Sequence, residues 1–193
     1  MSFTPQMDVT RDFEMIANTF AQMKSLSRPI GQMIDLWIKA LESNHKIMFC
    51  GNGGSASQSQ HLAAELVGRY KLDRPAMNSI SLTVDTSILT AVGNDYGYDD
   101  VFRRQVEGVG QAGDVLVGLS TSGNSKNIVR AFEQARSMGI VTIAMTGQSA
   151  CRMSELADLT IAVPSSVSNS IQEMHLVVGH YVCGKVESFF HGK

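Results

Sequence analysis

The chain has 193 residues, 44% hydrophobic and 18% charged, with a formal net charge of -2. That size suits one domain with a sizeable core, since two domains of ~100–150 residues each would be cramped. The charge balance offers no basic face for nucleic acid, and no apolar run approaches the ~20 residues that span a bilayer.

The first stretch, "MSFTPQMDVTRDFEM", lacks a basic segment followed by an apolar one, so no signal peptide is expected. Three cysteines, Cys50, Cys151 and Cys183, form no CxxC pair and leave an odd count. Neither a disulfide framework nor a cysteine zinc site is expected, and the chain reads as a soluble cytoplasmic protein. Residues 1–44 carry a helical rhythm. Phe13, Ile16, Phe20 and Met23 recur at spacings of three and four, Pro29 breaks or restarts the helix, and Ile30, Met33, Ile34, Trp37, Ile38 and Leu41 continue the pattern. Such an arm either covers the core as a helical hairpin or forms an oligomer interface.

Beyond Asn44 the rhythm changes. Short apolar runs at 47–50, 80–84, 115–119, 141–145 and 159–163 have strand length, and helical periodicity separates most of them. Alternating strands and helices predict a doubly wound α/β fold, with a parallel sheet covered on both faces. The whole chain is then one domain: residues 1–44 form the helical arm and residues 45–193 the α/β core. Ligands in such sheets gather at the carboxyl ends of the strands, above all where strand order reverses.

The corners after the strands carry the polar residues. Gly51, Asn52, Gly53 and Gly54 follow the first strand, and Ser55 is placed to cap the next helix. This turn is neither a Walker loop nor a full G-x-G-x-x-G fingerprint, and it reads equally as a tight turn or a ligand loop. After the second strand, Asn94 and Asp95 lie between glycines, as in a turn, with side chains suited to sugar hydroxyls. After the third strand comes "LSTSGNS". Ser120, Thr121, Ser122 and Ser125 would bring hydroxyls and backbone N–H groups to a helix start, which favours a phosphate monoester over a plain serine-rich turn.

Two helices carry the remaining candidates. His61 and Glu65 are spaced i, i+4 and share a face, so they can hold one metal, act as an acid–base pair, or form a surface ion pair. In "SIQEMHLVVGHYV", Gln172 and His180 lie eight residues apart, about 80° off a common face at ~100° per residue. His175 is nearer Gln172 in angle, and periodicity does not choose between the two histidines.

The stretches "CGNGGSASQSQHLAAELVGRY", "VGNDYGYDDVFRRQVE", "GDVLVGLSTSGNS" and "IQEMHLVVGH" occur here in the order seen in the SIS (sugar isomerase) family. The resemblance covers nearly the whole chain, the N-terminal helices by pattern only. It implies a five-stranded parallel sheet and a homotetramer with active sites between subunits. It also implies an aldose–ketose isomerase turning sedoheptulose 7-phosphate into D-glycero-D-manno-heptose 7-phosphate, an early step toward bacterial lipopolysaccharide or capsule. Carried onto this sequence, the sugar-binding residues fall on Asn52, Gly53, Gly54, Asn94 and Asp95. The phosphate loop falls on Ser120, Thr121, Ser122 and Ser125, and one zinc per subunit on His61, Glu65, Gln172 and His180. Glu65 would be the base and His180 the acid, so the resemblance, rather than spacing, selects His180 over His175. Some relatives in this family act as scaffolds for a replication initiator or isomerise another sugar phosphate, such as arabinose 5-phosphate. The scaffold group lacks the catalytic pair that this sequence keeps. Gln58 stands where an aspartate is common, Ser170 where an arginine often precedes Ile-Gln-Glu, and Arg69 reads as a substrate contact or an ion-pair partner.

Overall fold

A computed structural model describes residues 9–192. Helix α1 (Val9–Gln22) passes through a 3-10 turn at Met23–Leu26 into α2 (Ser27–Glu42). Pro29 lies in the first turn of α2, where its missing N–H leaves no helical bond unmade. It therefore marks a restart of the helix.

The core alternates β1 (Ile47–Gly51), α3 (Gly54–Val67), β2 (Ser79–Ser81), α4 (Thr86–Asp95), α5 (Arg103–Val109), β3 (Val115–Leu119), α6 (Lys126–Ser137), β4 (Val141–Thr146), α7 (Arg152–Leu156), β5 (Leu159–Ala162) and α8 (Ser168–His191). All five strands pair in parallel, in the order β2-β1-β3-β4-β5. Every residue of β1 and β3 is buried, as expected of central strands with helices on both faces. Alternate side chains feed two cores. Ile47, Phe49, Val115 and Val117 pack under Trp37, Leu62, Leu66, Val178 and Val182 from α2, α3 and α8. Met48, Cys50 and Leu116 face Phe102, Val106, Ile128 and Phe132 from the α5–α6 side.

Two expectations change. The second strand is three residues long and lies at a sheet edge, not 80–84. Pairing runs out after Leu82, whose N–H donates to Phe49, because Asp85 then caps α4 by accepting from the Ile88 N–H at 2.9 Å. That cap carries the helix through Asn94 and Asp95, so they form its last turn and not a loop between glycines.

The strand order places the switch point between β1 and β3. Gly51 stands opposite Leu119, so the loops after these two strands emerge side by side. Helix α8 packs beside α3 over one core.

Candidate active site

The loop after β1 turns at Gly53, whose φ of 55° is a left-handed value that glycine adopts without strain. Gly53 occupies the cap position of α3 and Ser55 does not, since Ser55 is already buried within the helix. Its carbonyl accepts from the Ser59 hydroxyl at 2.8 Å. Gly54 leaves room for Gln172 of α8: a Cβ there would fall 2.7 Å from Gln172 Oε1. Gln58 fastens the same place by donating to the Gln172 carbonyl at 2.6 Å.

The loop after β3 folds on its own hydroxyls. Ser120 Oγ lies 3.0 Å from Ser125 Oγ and 3.4 Å from Ser122 Oγ, and it accepts from the Gly123 N–H at 3.1 Å. Ser125 caps α6 without a side-chain bond; its carbonyl takes the Ile128 N–H, and the N–H groups of Lys126 and Asn127 stay available to an anion. A cleft of about 330 Å³ opens there between Thr121, Ser122 and Asn124 on one side and Gln148, Ser166 and Ser168 on the other.

His61, Glu65 and His180 converge. His61 Nε2 lies 2.7 Å from His180 Nε2 and 3.2 Å from Glu65 Oε1, and one ligand atom from each residue falls within 4.8 Å of the others. Gly179 makes this possible, because a Cβ there would collide with the buried Leu62 next to His61. Two imidazole nitrogens and a carboxylate oxygen are a donor set that suits zinc with an open position. The structure draws these three of the expected ligands together, and the Gln172 amide lies against Gly54 at the start of α3. Partial burial pushes the His180 pKa down, His61 pushes it further, and Glu65 opposes both.

Burial sets the two histidines apart. His175 is fully buried, with Nε2 3.2 Å from the Thr146 carbonyl, and burial pushes its pKa down to about 4. It is a core residue facing β4. Asn94 and Asp95 are exposed, and their side chains bond only each other among the described residues, at 2.8 Å. Arg69 is exposed and enters no ion pair among them.

Three features escape a motif reading. The Tyr70 ring stacks on His180 at 5.7 Å between centroids. Glu187, near the end of α8, accepts from the N–H groups of Tyr70, Lys71 and Leu72 and from Arg74 Nε. Arg74 in turn donates to the carbonyls of Leu66 and Glu65 at the end of α3. Third, Asn127 pairs with Asn52 across the two loops. The sequence signal for all three is a single polar residue without a repeat.

Comparisons with known proteins identify the family and agree with the fold. The family profile described as SIS domain matches residues 13–147. A phosphoheptose isomerase of Akkermansia muciniphila is 62% identical over 92% of this chain and 94% of its own. One of Sulfurimonas denitrificans is 47% identical over 95% of this chain and 94% of its own. Among solved structures, a phosphoheptose isomerase of Neisseria gonorrhoeae superposes with a TM-score of 0.90 at 39% identity, covering 96% of this chain and 100% of that one. One of Francisella tularensis gives 0.93 at 32% identity over the same shares.

Proposed function

The chain belongs to the SIS-domain family, and from that premise we propose that it isomerises sedoheptulose 7-phosphate to D-glycero-D-manno-heptose 7-phosphate in bacterial heptose biosynthesis. The observation that carries the reading is the meeting of Glu65 and His180 beside the two switch-point loops. In this reading, residues 120–125 receive the phosphate, and Asn52, Gly53, Gly54 and Gln172 line the sugar. Asn94 and Asp95 complete the sugar set; exposed at the end of α4, they would reach a sugar only at its outer side.

Isomerisation needs one base beside C1 and C2 and one group that moves a proton between O1 and O2. Glu65 takes a proton from C1 of the ketose, leaving an enediol, and returns it to C2. His180, its pKa lowered chiefly by burial, exchanges a proton with the oxygens. Tyr70 stacks on the His180 ring and limits its rotation. A zinc ion held by His61, Glu65, Gln172 and His180 would supply Lewis-acid polarisation of the carbonyl. The His61 ring lies T-shaped to His180 at 5.0 Å, with the two Nε2 atoms 2.7 Å apart.

The same reading gives a cytoplasmic homotetramer with sites between subunits. No helix among the described residues is long and apolar enough to cross a membrane. The test is to incubate purified protein with sedoheptulose 7-phosphate and follow the aldose. No turnover, with and without added zinc, sinks the proposal.

A further inference from the structure

Asn127 lies in the first turn of α6 and is 3% exposed. Its amide and that of Asn52 bond reciprocally: each Nδ2 donates to the other's Oδ1 at 2.9 Å. Two planar amides joined by two hydrogen bonds form one plate, so neither ring-like face can turn alone. The Tyr98 hydroxyl completes the plate by donating to Asn52 Oδ1 at 3.1 Å. With that donor in place, both Asn52 lone pairs and one of its N–H bonds are used. The other N–H has no partner among the described residues and is left for a ligand oxygen. Asn52 otherwise stands between Gly51 and Gly53, where the backbone gives a side chain little support.

The pair also spans the switch point. Asn52 belongs to the loop after β1, and Asn127 follows the serine loop after β3 by two residues. We propose that Asn127 is a positioning residue that fixes the Asn52 amide toward the sugar and sets its distance from the phosphate loop. This rests on the reading that Asn52 touches the sugar. The serine loop has its own internal bonds through Ser120, so it keeps its shape without Asn127.

The experiment is a double-mutant cycle with Asn52→Ala and Asn127→Ala. It is read in KM and kcat for sedoheptulose 7-phosphate, in inhibition by inorganic phosphate, and in melting temperature. Losing the plate should raise KM about tenfold in Asn127→Ala, the size of one or two lost hydrogen bonds. Phosphate inhibition should change less than about twofold. In the Asn52→Ala background, Asn127→Ala should add almost nothing. An equal added loss in both backgrounds overturns the proposal, and so does a parallel loss of phosphate inhibition, because either means general collapse of the loops. If Asn127→Ala does not fold, Asn127→Leu, of similar volume, takes its place in the cycle. Should the wild type bind sedoheptulose 7-phosphate without turnover, the activity reading fails, yet the same cycle read in calorimetric Kd still decides. Absence of any binding overturns both.

Discussion

At the scale of single residues, Glu65 and His180 carry the sharpest expectations. Glu65→Gln keeps the shape but removes the base, so turnover should fall by about 10²–10⁴-fold. Calorimetry should still find sugar phosphate bound, which separates loss of chemistry from loss of the site. From the donor set of the cluster, stripping metal with a chelator should reduce activity, and zinc should restore it. His175 predicts something different. It stays neutral when folded down to about pH 4, against an ordinary value near 6.5. Between these values the unfolded chain binds a proton that the folded chain refuses. Its contribution to stability is therefore full above about pH 6.5 and is lost as the pH falls toward 4, by at most about 3 kcal/mol. Urea midpoints from pH 4 to 7 should flatten in His175→Gln relative to wild type. An unchanged slope would mean that other groups carry the acid sensitivity.

At the scale of elements, the site depends on how α3 and α8 are held together. Gly179 sets their approach, and the Glu187–Arg74 pair closes their far ends. Burial alone would raise the Glu187 pKa; three N–H donors and Arg74 overcome it and leave the carboxylate charged. Arg74 also satisfies carbonyls at the end of α3 that no helical N–H can reach. Breaking such a pair strands a buried charge, so Glu187→Ala should lose about 3–5 kcal/mol in denaturant unfolding. Gly179→Ala should instead push the helices apart, weakening metal retention more than stability. Four of the five strands and the loops after β1 and β3 are legible in the sequence because hydrophobic period and glycine turns are local signals. The His61–Glu65 spacing was readable for the same reason. Arg74 and Glu187 were not, because the pairing joins residues 113 apart and neither sits in a pattern. Asn94 and Asp95 misled because flanking glycines imitate a turn, while the cap that decides the helix, Asp85, lies a full helix earlier. Periodicity likewise could not separate His175 from His180, since that choice depends on which neighbour each histidine meets.

For the whole molecule, the arm divides: α2 covers the core through Met33, Trp37 and Ala40, while the apolar face of α1 is left largely exposed. Helix α1 has no buried residue, and Phe13 and Phe20 are 67% and 54% exposed. A cleft of about 440 Å³ runs between the arm and α8, lined by Phe20, Met23, Ile30, Ile34, Val178 and Tyr181. Tyr181, itself exposed, is the next residue after His180. An apolar surface of this kind on a charged-balanced chain favours covering by another copy over exposure to water. The cluster of His61, Glu65 and His180 would then lie close to the contact through Tyr181. Sedimentation should give about 84 kDa, four times the 20.9 kDa chain. Losing the contact of two phenylalanines that assembly would bury, at ~1.5–3 kcal/mol each, should be enough to dissociate it. The variant Phe13→Glu with Phe20→Glu should therefore sediment as a smaller species and lose activity in step, although neither residue touches the site. Full activity in a 20.9 kDa monomer would separate the two and place the whole site within one chain.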